Sequence, residues 1–277
     1  MRNNRKSNKK KKALWLIVAL LFLLLAIGGA IILWKLVFAA NPDFTPYKTD
    51  DTGVVTSETS TENAANGTDT APDVTAGPEK LPAVVDFAAL QAENPDVYAW
   101  ITVPGTKIDY PIVQHPTDPE YYLRRDYLGK HDVRGCIFTQ CYNRTDFTDP
   151  NTVIYGHYMS NKTFFGGLHE FRDAKFFNEH QEFYIYTPGH KFTYQIFAAY
   201  EYDARHILYA FDFSNEEVFA EYLDSCLHPM TVAKNVREGV ELTTENRIVT
   251  LSTCVQSGAD NQRYLVQGVF INDEPTE

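Results

Sequence analysis

Three kinds of hydrophobic pattern succeed one another along the chain. Ala13 to Trp34 is an unbroken apolar run of 22 residues without a charge, long enough to cross a bilayer as one helix. Residues 41–80 show no periodicity. Here 11 Ser/Thr, eight acids and scattered Gly and Pro surround only two large aromatics, Phe44 and Tyr47, and such a segment buries too little apolar surface to offset its ordering entropy. From Leu81 onward apolar positions recur at the spacings of folded elements. Phe87, Ala88 and Leu90 precede Asn94-Pro95 and predict a short helix that the proline ends. Eight short runs rich in β-branched and aromatic residues follow, each bounded by turn residues: Tyr98–Val103, Tyr110–Val113, Cys136–Thr139, Thr152–Tyr155, Phe183–Tyr186, Phe192–Tyr200, Arg247–Cys254 and Tyr264–Ile271. They predict a mainly β domain, either a barrel or a sandwich.

Two helices are expected between the strands, one over Phe164–His180 and a better-marked one over Ser214–Leu227. In the second, Ser214 and Glu217 have capping-box spacing, and Val218, Phe219, Tyr222, Leu223, Cys226 and Leu227 share one face, which makes Cys226 a packing residue. These shifts divide the chain into a basic tail at 1–12, a transmembrane anchor at 13–40, a disordered stalk at 41–80 and a folded domain at 81–277.

Charge sharpens that division. The formal charge is −11 overall, yet residues 1–35 carry +8 with no acid, 41–80 carry −6 and 81–277 carry −13. Arg2, Arg5, Lys6 and Lys9 to Lys12 abut the apolar run, and because a Lys/Arg excess stays on the cytoplasmic side, the N-terminus is expected inside and the folded domain outside. A cleaved signal peptide fits less well, since its apolar core is ordinarily about 7–15 residues. The acidic domain argues against nucleic acid as a partner, whose phosphates demand clustered Lys and Arg. With 44% hydrophobic and 22% charged residues, the chain is neither wholly disordered nor fibrous.

Four cysteines, at 136, 141, 226 and 254, are too sparse for a disulfide framework, and no C-x-x-C or i, i+4 His pair marks a zinc site. No calcium loop is present; the expectation is no metal and no cofactor. Cys254 stands out by position. It ends a strand in which Ile248, Thr250, Ser252 and Cys254 share one face. After the loop Val255–Gln262 a further strand begins at Arg263, and if the two strands pair antiparallel, Cys254 and Arg263 face each other across the open end of the loop. Opposed residues have Cβ atoms about 4.5–5.5 Å apart, within reach for a cation that favours a thiolate and offers charge-assisted donors. A proton shuttle is the missing part. Of eight histidines, His157 has the suggestive context: it follows the strand Thr152–Tyr155 and Gly156, whose backbone freedom permits a sharp turn. His115, His131, His169, His180, His190, His206 and His228 read as loop or helix-surface residues. Taken singly, such a His, Cys or Arg is more often structural or solvated.

Together they are informative. Thr250-Leu251-Ser252-Thr253-Cys254, then Arg263, with Tyr155-Gly156-His157 about a hundred residues earlier, closely resembles the signature of sortases, and within them class B. The likeness spans 81–277. Val97-Tyr98-Ala99-Trp100-Ile101 with Ile108-Asp109-Tyr110-Pro111-Ile112-Val113 resembles the class's opening segment, Gly135 to Phe138 its next strand, Phe164 to Phe177 the helical stretch after the histidine, and Ser214 to Leu227 the long helix before the last two strands. One departure is Val255, where some members carry an acid directly after the cysteine. Cys136 and Cys141 are not part of the signature.

The resemblance implies a closed eight-stranded sortase-type β-barrel with a short N-terminal helix and two inserted helices, preceded by a transmembrane helix. It further implies a membrane-anchored cysteine transpeptidase on the outer face of a Gram-positive type of cell. Cys254 would attack a backbone carbonyl in the C-terminal sorting signal of a secreted protein and form a thioester. Arg263 would stabilise the oxyanion, and His157 would protonate the leaving amine and deprotonate the incoming one. That amine would come from a cell-wall precursor or a pilin, and both remain open. Ser252 and Tyr155, each two residues before a site residue, are expected to help bind the signal. Two other readings stand beside this: a hydrolytic cysteine peptidase, which usually orients its His with Asn or Asp, and a non-catalytic surface-assembly module, which would need none of the three residues. The Ser-His-Gly-Cys type of motif of L,D-transpeptidases is absent.

Overall fold

The computed structural model describes residues 15, 18, 20–29, 42–49, 84–254 and 261–276, in two compact units, Met1–Pro42 and Asp43–Glu277. In the first unit, Trp15, Val18 and residues 20–29 are helical. Among the described residues no helix is long and apolar enough to cross a membrane; the remainder of the anchor expected at 13–40 lies outside them.

In the second unit all eight expected strands form: β1 (Val97–Val103), β2 (Ile108–Val113), β3 (Ile137–Thr139), β4 (Asn151–Tyr155), β5 (Glu182–Thr187), β6 (His190–Asp203), β8 (Ile248–Cys254) and β9 (Gln262–Pro275), with a three-residue β7 (Lys234–Val236) unforeseen. The sheet order is β5-β1-β2-β3-β4-β8-β9-β6-β7, and β5 also pairs with β6. That extra pairing closes eight strands into a barrel and leaves β7 outside the ring. Two neighbouring pairs, β2 with β3 and β4 with β8, are parallel.

Alternation along the strands feeds two cores. Ile154 of β4, Val249 and Leu251 of β8, and Tyr264 and Val266 of β9 point into the barrel with Trp100, Phe165, Phe171 and Phe183. Their alternate neighbours Val153, Ile248, Leu265 and Val269 form a second cluster with Phe219, Tyr222, Leu223 and Cys226. These last four lie on the helix Glu216–Leu227, so the amphipathic face read from the sequence covers the outside of the β4/β8/β9/β6 wall. Its cap differs from expectation. Asn215 accepts from the amides of Glu217 and Val218, while the Ser214 hydroxyl turns back to Asp212; Asn is as good an N-cap as Ser, and here it is the one in register. One polar cluster inside this packing is paired: Gln267 donates to Thr250 Oγ1 at 3.0 Å and Tyr222 OH at 3.1 Å, and accepts from Tyr200 OH at 3.0 Å.

The first expected helix forms at Phe87–Glu93 (α1), capped by Asp86. The stretch Phe164–His180 divides into a 3-10 helix, Phe165–Arg172, and a short α-helix, Ala174–Glu179 (α2), because Asp173 breaks the first and caps the second. A four-residue helix, Ile207–Ala210 (α3), precedes Glu216–Leu227 (α4).

The stalk expectation needs one correction. Asp43–Thr49 belongs to the same compact unit as the barrel: Phe44 is 8% exposed and packs edge-on against Trp100, Tyr110 and Tyr127, and Lys48 pairs with Asp109. The two aromatics that punctuate an otherwise polar segment supply the apolar surface that the rest of it lacks. Residues 50–83 lie outside the described residues.

Candidate active site

Because β4 and β8 are parallel neighbours, their C-terminal ends reach the same rim. Tyr155 lies opposite Ser252, and the Gly156 amide continues the ladder by donating to the Ser252 carbonyl at 3.1 Å. His157 and Cys254, each two residues further on, therefore leave the sheet side by side. Gly156 is required here for a reason other than the turn expected of it. Its φ is not in the left-handed region; a Cβ would instead lie 2.5 Å from Ile137 Cδ1 and 2.7 Å from Phe165 Cγ, so only glycine lets the chain pass between them.

The strands β8 and β9 pair antiparallel with Cys254 opposite Arg263, the register anticipated from the alternation. Cys254 is a free, half-buried thiol. Arg263 Nη1 donates to the Gln262 carbonyl at 3.0 Å. The charge of Arg263 also reaches Tyr155: burial pushes the Tyr155 phenol well above the usual tyrosine range, and the guanidinium opposes that shift. Ser252 is 5% exposed.

His157 is fixed from two sides. Its Nε2 lies 2.7 Å from the Leu123 carbonyl, which only accepts, so Nε2 carries the proton of that bond and Nδ1 is left for other work. Its own carbonyl accepts from the Phe165 amide at 3.2 Å. Leu123 sits in the 3-10 helix Tyr121–Arg124, which crowds Gly135. With φ +59°, that glycine has no space for a side chain: a Cβ would lie 2.7 Å from Leu123 O and 3.0 Å from His157 Cδ2.

All five expected residues, His157, Cys254, Arg263, Ser252 and Tyr155, line one groove of about 180 Å³. Gln140, Tyr202 and His206 line it too. Among the described residues, Gln140 Oε1, the hydroxyls of Tyr155 and Tyr202 and both ring nitrogens of His206 are buried without a hydrogen-bond partner. Unpaired polar atoms cost about 1–3 kcal/mol each, so the groove is built for a polar guest. Burial lowers the His206 pKa.

Sequence reasoning missed two residues here. His206 reads from the sequence as a loop residue, yet it lines the groove. His169, read the same way, donates from Nε2 to the carbonyl of Cys254 at 3.0 Å; the i, i+3 spacing of His169 and Arg172 was a faint local signal, but nothing in the sequence encodes a bond to a backbone atom 85 positions away. Among the described residues no group of three His, Cys, Asp or Glu is placed to hold a metal ion.

Comparison with known proteins points to one family. The family model described as the sortase domain matches residues 101–270. Sortase B of Listeria monocytogenes is 32% identical over 183 residues, which is 66% of this chain and 72% of that protein. The X-ray structure of Clostridium perfringens sortase B superposes with a TM-score of 0.60 at 33% identity, covering 67% of this chain and 99% of the other. The Staphylococcus aureus sortase B–substrate complex superposes at 0.58 with 27% identity, covering 68% and 85%.

Proposed function

The chain belongs to the sortase family, class B, and is a cysteine transpeptidase that cleaves a sorting signal and transfers the acyl group; from that premise we propose how its own residues divide the work. The Cys254 thiolate attacks the carbonyl carbon of the scissile peptide, and the oxyanion of the tetrahedral adduct is met by the Arg263 guanidinium, a fixed cation with several donors. The C–N bond breaks, the leaving amine takes the proton from Nδ1 of the His157 imidazolium, and a Cys254 thioester remains. The incoming amine then attacks the thioester and gives a proton to Nδ1. The C–S bond breaks, the thiolate returns and an amide is released. The observation that carries this reading is the strand register, with Cys254 opposite Arg263 on β8 and β9 and Tyr155-Gly156-His157 ending beside them.

The sorting signal lies in the groove against Ser252 and Tyr155, and its amides and polar side chains satisfy Gln140, Tyr155, Tyr202 and His206. The chain is anchored by its first 40 residues, basic tail inside and apolar helix across the membrane, with residues 50–80 as the stalk and the barrel outside. Support for this comes from the charge-free run Ala13 to Trp34 behind the basic tail and the rule that Lys and Arg stay inside. The acceptor amine belongs to the cell wall or to a pilin.

The test is intact-mass spectrometry of the full chain in detergent micelles, incubated with sorting-signal peptides with and without triglycine. An acyl adduct on Cys254 that becomes an amide product when amine is added is the expected result, and Cys254→Ala gives neither. Free acid as the sole product, with amine present, would instead identify a peptidase. Turnover by Cys254→Ala would end the assignment.

A further inference from the structure

Behind the groove, one imidazole touches the surroundings of all three residues assigned to the reaction. The His169 ring makes an edge contact with Tyr158, the residue after His157, at 4.8 Å between centroids. It stacks on Tyr264, the residue after Arg263, at 4.9 Å and 28°. It also bonds to the carbonyl of Cys254 at 3.0 Å.

The state of this ring is determined by its partners. Arg172 Nε donates to His169 Nδ1 at 3.1 Å, and a guanidinium has no acceptor, so Nδ1 must hold the lone pair. The Cys254 carbonyl has no donor, so Nε2 must hold the hydrogen. Both bonds are satisfied together only by the neutral Nε2–H tautomer. Burial acts in the same direction and outweighs the rest, lowering the His169 pKa; the bond to the Cys254 carbonyl opposes it, the Arg172 charge adds to it, and Glu201 and Glu170 oppose it. Arg172 is itself fixed by Glu201 at 2.7 Å and lies over the Tyr264 ring at 4.9 Å. Glu201, on β6, is the register partner of Tyr264. The 3-10 helix Phe165–Arg172 is thus bolted to β6, β8 and β9 at the level of the reacting residues.

We infer that His169, oriented by Arg172 and Glu201, is a positioning residue for the transpeptidation: it holds the end of β8 by the Cys254 carbonyl and keeps that end in place against the ends of β4 and β9. The inference rests on the reading of Cys254 as nucleophile. Its role is geometric, since both ring nitrogens are committed and neither is available to move a proton for substrate. An error of about 1 Å in such an arrangement costs roughly a hundredfold in rate, and residues that lock a reacting group supply that accuracy. The contribution belongs to kcat, because the groove that binds the peptide is lined by other side chains.

Three variants of the full chain in detergent micelles test this by steady-state transpeptidation and by ring 15N NMR. His169→Phe keeps the aromatic stack and removes both hydrogen bonds; kcat should fall about 10- to 100-fold with KM within twofold. His169→Gln restores a donor for the carbonyl and should recover most of that loss. Arg172→Met leaves the ring in place without its Nδ1 donor; the wild-type spectrum should show Nε2 protonated and Nδ1 bare near neutral pH, and the variant a mixture of tautomers. This NMR measurement stands even if His169→Phe fails to fold. A His169→Phe kcat within twofold of wild type, a Gln variant no better than Phe, or a wild-type ring protonated at Nδ1 would each overturn the inference. Cys254→Ala is run beside them. If it turns over, the nucleophile assignment fails; if it is inactive while His169→Phe is normal, only the positioning role fails.

Discussion

At the end of β4 a backbone carbonyl, that of Leu123, holds an imidazole, His157; at the end of β8 an imidazole, His169, holds a backbone carbonyl, that of Cys254. The bond is the same in both, an Nε2–H donating to a carbonyl oxygen, and what differs is which partner the rest of the fold holds in place. His157 spends one nitrogen on its support and has no hydrogen-bond partner at the other among the described residues. His169 spends both, on Arg172 and on Cys254. A ring that must exchange protons with substrate needs one uncommitted nitrogen, whereas a ring that only holds something is best with none. The two sites also differ in backing. The His157 side leans on Tyr110, whose hydroxyl accepts the Phe164 amide at 3.1 Å and whose ring stacks on Phe164, and through Tyr110 on Phe44. The Cys254 side leans on an ion pair, Arg172 with Glu201, and on the rings of Tyr264 and Tyr158.

The largest effect short of removing the nucleophile should come from the residue opposite it. Arg263→Ala is expected to lower kcat about 10²- to 10³-fold, the usual consequence of deleting an oxyanion donor, and Arg263→Lys to recover little, because an ammonium is a point charge without the fork of donors. Steady-state kinetics on folded protein decide it. A loss confined to KM would mean that Arg263 only binds the peptide.

Next comes the support of His157. Gly135→Ala forces a Cβ toward Leu123 O and the His157 ring and places alanine in the left-handed region, which by itself costs about 1–2 kcal/mol. Its kcat should fall about tenfold, in line with a sub-ångström shift, while the ring 15N signals of His169 stay as in wild type. A change in those signals would show that the two strand ends are held as one unit and not separately.

Much of this arrangement was legible in advance, and the rest was hidden for identifiable reasons. Strand alternation gave all eight barrel strands and the β8–β9 register, because a two-residue period leaves one choice of face and the short loop after Cys254 leaves one choice of partner. β7 and α3, at three and four residues, are shorter than any period that would mark them. Gly135 looked like a strand start, and its conflict with Leu123 and His157 exists only once three distant segments meet. Phe44 was lost in averaging: a composition read over forty residues cannot register that one aromatic docks. Removal of that contact tests the His157 side from behind. Phe44→Ala should cost about 3 kcal/mol of unfolding free energy, measured by urea denaturation of the unit 43–277, and leave kcat within twofold. A large loss of kcat without loss of stability would mean that the N-terminal segment acts on the site itself.

The smallest effect concerns pH and distinguishes the two histidines again. His169 has a pKa below the ordinary value of about 6.5 because it is buried beside Arg172. In the unfolded chain it takes a proton near pH 6.5, and in the folded chain only at lower pH. Between those values the unfolded state holds more protons, so stability rises with pH there; the stabilisation is complete above about 6.5 and is lost as pH falls through the folded pKa. His206, also lowered by burial, contributes with the same sign. The urea midpoint of wild type should therefore drop between pH 7 and pH 5, above the range in which carboxylates such as Asp132 and Asp203 titrate. His169→Phe should show a smaller drop, with His206 supplying what remains. An identical drop in both proteins would mean that His169 accepts its proton in place, keeping the bond to Cys254 while Arg172 moves aside, and the distinction between a ring that exchanges protons and a ring that only holds would then be one of degree.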